Sequence, residues 1–296
     1  MLHATDPHAG LRTAVVDWFA ASARDLPWRA ANRTPWGVLV SEVMLQQTPV
    51  VRVEPRWRAW MDRWPEPADL AAASTADVLR AWDRLGYPRR ALRLQECARA
   101  VVKRHGGGVP DDEAALLALP GVGTYTAAAV LAFAFGHRSV VVDTNVRRVL
   151  ARAVTGTALP PPSPRAAELA LAAAVAPRDP AASARWAAAS MELGAVVCTA
   201  RAPRCDACPV LHLCAWQAAG APADEHRGRR RTQAWAGTDR QVRGTVMAAL
   251  RGSPGPVPRA SVAALWPDAA QLSRCVAGLV EDGLVEQEGA AYRLPG

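Results

Sequence analysis

The sequence predicts a mostly α-helical protein, and two patterns carry that prediction. Apolar residues recur at three and four positions along nearly every segment, and β-branched alternation is almost absent before the last dozen residues. At 296 residues, 50% of them hydrophobic, the chain has the length for two domains and the apolar mass for real cores. The run from Ala127 to Phe135 stops at Gly136, and the alanine-rich stretch near Leu171 carries Glu168. No segment therefore reaches the roughly 18 apolar residues of a membrane span. Met1 to Gly10 has neither a basic start nor an apolar core, so no signal peptide is read and the cytoplasm is the expected compartment.

Lys plus Arg total 35 against 27 acids, and the net +8 suits a polyanionic partner such as nucleic acid. Lys103 is the one lysine, a scarcity that restricts amine chemistry.

The first element with chemical content starts at Thr34-Pro35, an N-cap followed by a first-turn proline. A helix is predicted from about Pro35 to Gln47, stopped by Thr48-Pro49. Glu42 has Val38, Leu39, Leu45 and Gln46 as its neighbours at three and four positions. A carboxyl on so apolar a face is drawn out of water and becomes able to deliver a proton near neutral pH. An ion pair with one of the many arginines is the plainer fate for the same residue.

Next, a helix over Asp111 to Leu119, the turn Pro120-Gly121-Val122-Gly123 and a helix over Thr124 to Phe135 read as a helix–hairpin–helix. Its glycines allow a sharp turn whose amides suit a DNA phosphate without reading sequence. Asp143 then follows the apolar run Ser139 to Val142 and precedes a helical face of Val146, Val149 and Leu150. It stands at an N-cap, with the run before it suggesting burial. Two carboxylates in unlike settings are what cleavage at an anomeric carbon requires: one protonates the leaving group, the other stabilises an oxocarbenium-like centre.

Cys198, Cys205, Cys208 and Cys214 are separated by six, two and five residues. In a cytosolic chain such thiols imply a metal, zinc or an iron–sulfur cluster. A basic linker over 218–237, with Arg227, Arg229, Arg230 and Arg231, precedes a segment over 238–296. There, helices at Asp239–Arg251, Ser261–Trp266 and Ala269–Asp282 and strands at Leu284–Gln287 and Ala291–Leu294 give the outline of a winged helix. Its six acids match its six arginines, so the whole charge excess lies upstream. This segment is expected to dock on the catalytic part or to bind another protein, and its removal near Thr232 to spare most duplex affinity.

Taken together, the chain resembles the helix–hairpin–helix DNA glycosylases and, among them, the MutY family of adenine glycosylases, over roughly residues 11 to 216. The motifs are Leu26-Pro27-Trp28-Arg29, Ser41 to Thr48, Leu85-Gly86-Tyr87, Leu119 to Gly123, Val142 to Val146 and the cysteine loop. The resemblance implies a catalytic region over 1–217, with a six-helix part over about 30–137 and a cluster-bearing part from about 1–29 and 138–217. It implies a [4Fe-4S] cluster on the four cysteines and a monomer acting on double-stranded DNA with an A:8-oxoguanine or A:G mispair. Glu42 is then the general acid, Asp143 the stabiliser of the cationic sugar and Asn145 the residue that orients the carboxylates. Tyr125 and Trp28 line the adenine pocket. Gln47 and Tyr87 wedge into the duplex, and Arg29, Thr48, Leu85, Gly86, Gly121, Val122 and Gly123 belong to the DNA-contacting stretches. A flipped base costs a few kcal/mol, and wedging side chains fill the space it leaves.

Some positions depart from the family pattern: Pro88 follows Tyr87 where relatives often have tyrosine, Thr144 stands where glycine is common, and Ala188 replaces a polar residue. The chain is also expected to lack the nucleotide-hydrolase-like C-terminal domain of many relatives. Endonuclease III shares the fold and cysteine spacing but needs a lysine where Tyr125 stands. A thymine glycosylase for G/T mismatches shares much of the pocket, and Glu42 within Glu-Val-Met-Leu-Gln-Gln argues against it. A non-catalytic DNA-binding iron–sulfur protein, or a winged-helix regulator, would have no use for both Glu42 and Asp143.

Overall fold

A computed structural model describes residues 6–229 and 235–296, so Arg230 and Arg231 of the predicted linker lie outside the described residues. In chain order, α1 (Ala9–Ser22) leads to α2 (Pro35–Leu45), α3 (Val50–Arg63), α4 (Pro67–Ala72), α5 (Thr75–Trp82) and α6 (Arg89–His105). A short α7 (Glu113–Leu117) runs into the glycine turn and α8 (Thr124–Phe135). Then come α9 (Thr144–Ala153), α10 (Ala166–Val175), α11 (Pro180–Val196) and α12 (Ala215–Ala218). The C-terminal segment holds α13 (Asp239–Gly252), β1 (Val257–Pro258), α14 (Arg259–Ala263), α15 (Ala269–Glu281), β2 (Glu286–Glu288) and β3 (Ala291–Arg293). Among the described residues no helix is long and apolar enough to cross a membrane.

The helices cluster into two compact units. The first takes Met1–Arg33, Asp111–Glu113 and Gly123–Arg231. Its core joins Leu11 and Val15 of α1 to Val149 and Leu150 of α9 and to Trp186 and Leu193 of α11, with Cys198 and Cys208 packed at its edge. Each large side chain in that core contributes on the order of 2 kcal/mol. A second cluster of small residues, Ala128, Ala129 and Ala132 of α8 with Ala187 of α11, lets those helices approach closely.

The second unit takes Thr34–Pro110, Ala114–Val122 and Thr232–Gly296. Here α6 packs on α4 and α5, and an edge-to-face group of Trp60, Trp64 and Trp82 fills the space beside α3. In the C-terminal segment α13 packs on α15, burying Val242, Val246, Leu250, Leu272 and Leu279. The hairpin β2–β3 forms as predicted, shifted by a residue or two. Val257–Pro258 adds an unpredicted third strand, in the order β1–β3–β2. Two residues ending in proline give no period-2 signal, and only pairing with β3 makes them a strand.

Candidate active site

Glu42 lies on α2, which begins as its sequence predicts: the Thr34 side chain accepts a hydrogen bond from the Gly37 amide, and Pro35 occupies the first turn. Every residue from Trp36 to Met44 is buried, and Glu42 keeps 5% exposure. The helix ends at Leu45, two residues before the predicted end.

Arg90 of α6 explains that early stop. Its Nη1 donates to the carbonyls of Val43 (2.8 Å), Met44 (3.2 Å) and Gln46 (2.6 Å). Carbonyls at a helix C-terminus have no partners inside the helix, so the guanidinium satisfies them and favours their dipole. Its Nη2 bridges to the other predicted DNA loop, donating to Leu85 O (3.2 Å) and Gly86 O (3.0 Å), and also to Thr48 Oγ1 (3.1 Å) of the first. Thr48 is buried and itself donates to Leu85 O at 3.1 Å. Burial pulls the Arg90 guanidinium down to about 10. At the tips of the two loops so joined, Gln47 and Tyr87 are both exposed and both left-handed, with φ of 56° and 47°. For residues with side chains that backbone costs about 1 kcal/mol or more each, which the surrounding bonds offset.

The glycine turn forms as predicted. Gly121 has φ 78°, and a Cβ there would sit 2.9 Å from Cβ of Arg93, so α6 and the turn meet at a distance only glycine allows. Val122 donates to Leu119 O, while the amides of Gly121 and Gly123 have no intrachain acceptor among the described residues.

Asp143 is both a helix cap and a half-buried carboxylate. Oδ1 accepts from the amides of Asn145 (2.8 Å) and Val146 (2.7 Å), and Oδ2 accepts from Asn145 Nδ2 at 2.6 Å. Burial pushes its carboxyl above the usual aspartate value, against the pull of these three bonds and of the Arg148 charge. Arg148 donates to Asn145 Oδ1 (2.7 Å), Gly194 O (2.6 Å) and Cys198 O (2.6 Å), tying α9 to α11. A Cβ on Gly194 would lie 2.7 Å from Cβ of Asn145.

Beside them, Glu192 of α11 is fully buried between two arginines. Arg24 donates through Nε (2.6 Å) and Nη2 (2.7 Å), and Arg29 through Nη2 (2.9 Å). Burial acts to raise the Glu192 carboxyl, but the hydrogen bonds and charges of Arg24 and Arg29 outweigh it and hold it at about 2. Arg29 is thus spent on a buried carboxylate, with Nη1 unpartnered among the described residues. Its neighbour Trp28 is buried in the 3₁₀ turn Pro27–Arg29, and Tyr125 stands half-buried in the first turn of α8.

The four cysteines of the loop are free and partly exposed. Burial, and after it the charges of the other three cysteines, push the Cys208 thiol up to about 11, so its thiolate needs a cation beside it. The surroundings suit thiolates: Arg152 Nη1 donates to Cys198 Sγ at 3.3 Å and Gln217 Nε2 to Cys205 Sγ at 3.1 Å. Arg152 is itself buried and also donates to Ala158 O, Thr199 O and Ala200 O, bracing the loop. Arg204 turns back to donate to Val196 O, while Arg201 is exposed.

Arg90, Arg148, Arg152 and Glu192 were not among the residues the sequence pointed to. In an arginine-rich chain no local pattern ranks one arginine above another. Gly194, a glycine inside the apolar helix α11, is the kind of residue that marks a close approach.

The fold and its turn define a class, a helix–hairpin–helix base excision DNA repair protein. Residues 40–176 match the HhH-GPD superfamily base excision DNA repair proteins, and residues 198–214 match the iron–sulfur binding domain of endonuclease III. An adenine DNA glycosylase of Mycolicibacterium smegmatis is 53% identical over 274 residues, 92% of this chain and 92% of its own. One of Mycobacterium tuberculosis is 50% identical over 296 residues, 99% of this chain and 96% of its own. A solved thermostable thymine-DNA glycosylase superposes with a TM-score of 0.64 at 28% identity, covering 72% of this chain and 97% of that one. The chain belongs to the adenine DNA glycosylase family. Its cysteine loop is a [4Fe-4S] site, and its substrate is DNA.

Proposed function

We propose that the protein hydrolyses the N-glycosidic bond of adenine mispaired with 8-oxoguanine or guanine in double-stranded DNA, leaving an abasic site and an uncut strand, as a cytoplasmic monomer. Asp143 carries the proposal: it is a half-buried carboxylate oriented by three hydrogen bonds, in a chain 53% identical to an adenine glycosylase.

The target adenine leaves the stack, with Gln47 and Tyr87 filling the gap and Trp28 and Tyr125 lining its pocket. Glu42 gives its proton to adenine N7. The C1′–N9 bond then breaks with its electron pair on the base, which departs neutral. Asp143 stabilises the positive charge left on the sugar. Water adds to C1′ and its proton passes to Glu42, restoring the acid. The backbone of the Gly121–Gly123 turn holds a phosphate without reading sequence. Cys198, Cys205, Cys208 and Cys214 hold the cluster, which supplies a structural clamp on the loop that carries Arg201 and Arg204.

Duplexes with adenine opposite 8-oxoguanine, guanine or thymine test the reading. Release of adenine from the first two and not from the third is expected. Release of thymine from a G/T duplex at a comparable rate, or no release of adenine, would overturn it.

A further inference from the structure

Two guanidinium groups meet the ring of Tyr87. Arg90 lies 5.6 Å from its centroid, and Arg240, in the first turn of α13, lies 4.8 Å from it. Arg240 also lies 5.3 Å from the ring of Trp235, and both rings are exposed, Tyr87 at 41% and Trp235 at 53%. Of the other arginines in the C-terminal segment, Arg243 pairs with Asp282, Arg274 with Asp239, and Arg293 with Glu286 and Glu288, while Arg259 lies over the Tyr292 ring of its own segment. Among the described residues Arg240 has no carboxylate in ion-pair reach, and aromatic rings are what it touches.

Further contacts bring the C-terminal segment to the same loop. Arg89 pairs with Asp282 at 3.1 Å, and Arg80 donates to Ser253 O at 3.4 Å. Arg251 is close enough to Asp83 and Arg84 to feel their charges. The segment's balanced charge argues against an independent duplex binder, but these contacts put one cation on the tip of the Leu85-Gly86-Tyr87 loop.

We propose that Arg240 is a positioning residue for Tyr87, through which the C-terminal segment presets the ring that enters the duplex. The inference rests on the proposed role of Tyr87 as a wedge. An exposed tyrosine ring has rotamers to lose when it inserts. A cation held against its face restricts them beforehand, so less ordering is left to DNA binding.

A duplex carrying 2-aminopurine beside the A:8-oxoguanine mispair brightens when its bases unstack, and this signal is read together with single-turnover release of adenine. Arg240→Ala should lose most of the brightening and slow release about three- to tenfold. Arg240→Lys, which keeps the cation, should restore most of both. On a Tyr87→Ala background, Arg240→Ala should add no further loss. Arg240 is exposed, so melting temperature and iron content should match wild type in each case. Full brightening with Arg240→Ala, or losses that multiply in the double variant, would overturn the inference. Wild type that brightens the probe without releasing adenine overturns the proposed activity alone, because the Arg240 comparison can still be read in the fluorescence. Wild type that leaves the probe dark overturns both.

Discussion

Asn145 Nδ2 donates to Asp143 Oδ2 at 2.6 Å while its Oδ1 accepts from Arg148 Nη2 at 2.7 Å. A guanidinium can only donate, so the amide oxygen must face Arg148 and the amide nitrogen must face Asp143. The orientation of Asn145 is therefore fixed by chemistry. Asp143 Oδ1 already accepts two backbone amides, which leaves Oδ2, with its single donor, as the oxygen with capacity for a developing positive charge.

Asp143→Asn separates the cap from the charge. The amide oxygen of asparagine can still accept from the amides of Asn145 and Val146, so the cap and the iron content should be kept, while its NH2 faces the Asn145 Nδ2 donor and should cost about 1–2 kcal/mol of stability. Single-turnover excision should fall by at least about 100-fold, with binding to the mispaired duplex retained. Excision close to the wild-type rate would remove Asp143 from the reaction.

The same carboxylate sets an acid limit. It must be ionised to stabilise a cation, and burial raises it above the ordinary 3.8. Excision should therefore decline, as pH is lowered, at a pH above that ordinary value, and a rate profile measured on saturating duplex reads it. A profile flat down to pH 4 would contradict the shift.

Glu192 acts on stability with the opposite sign. Its carboxyl is held at about 2 against an ordinary 4.5, so its contribution is present in full above 4.5 and is lost as pH falls toward 2. That shift corresponds to about 3 kcal/mol. Glu192→Gln should unfold more easily at neutral pH and show a flatter acid dependence in thermal unfolding between pH 6 and 3.

Arg90 supplies donors to three carbonyls at the end of α2, to Thr48 Oγ1 just after it and to two carbonyls of the second loop. Arg90→Met should cost about 2–4 kcal/mol, since buried acceptors lose their partners. It should weaken duplex binding more than Lys103→Met does, without loss of iron. Unchanged loop order in amide exchange at Gln47 and Tyr87 would show that other bonds hold the loops.

Borohydride added during turnover should trap no protein on DNA, because the proposed reaction uses no amine nucleophile and the one lysine, Lys103, lies exposed on α6. Efficient trapping would identify another amine as nucleophile.

Much of this protein could be read from local patterns. The helical period, the Thr34 cap before Pro35, the glycine turn and the cysteine spacing each act within a few residues of themselves, where backbone sterics and hydrogen bonding are set by neighbours in the chain. Asp143 as a cap belongs here too, since its partners are two and three residues away. What stayed illegible depends on partners far along the chain. That α2 stops at Leu45 is decided by Arg90, some 45 residues later, and that Glu192 stays ionised is decided by Arg24 and Arg29. Arg152 braces the cysteine loop from α9 in the same way.

The sequence by itself determined the helical class, the capped helices and the residue types needed for acid chemistry and a cluster, because those follow from local geometry and side-chain chemistry. Only the tertiary structure decided which arginines are structural and which carboxylate is pushed up or down in pKa, and that the C-terminal segment meets Tyr87 through Arg240. Desolvation and charge pairing depend on distance in space, and distance in space is set by packing.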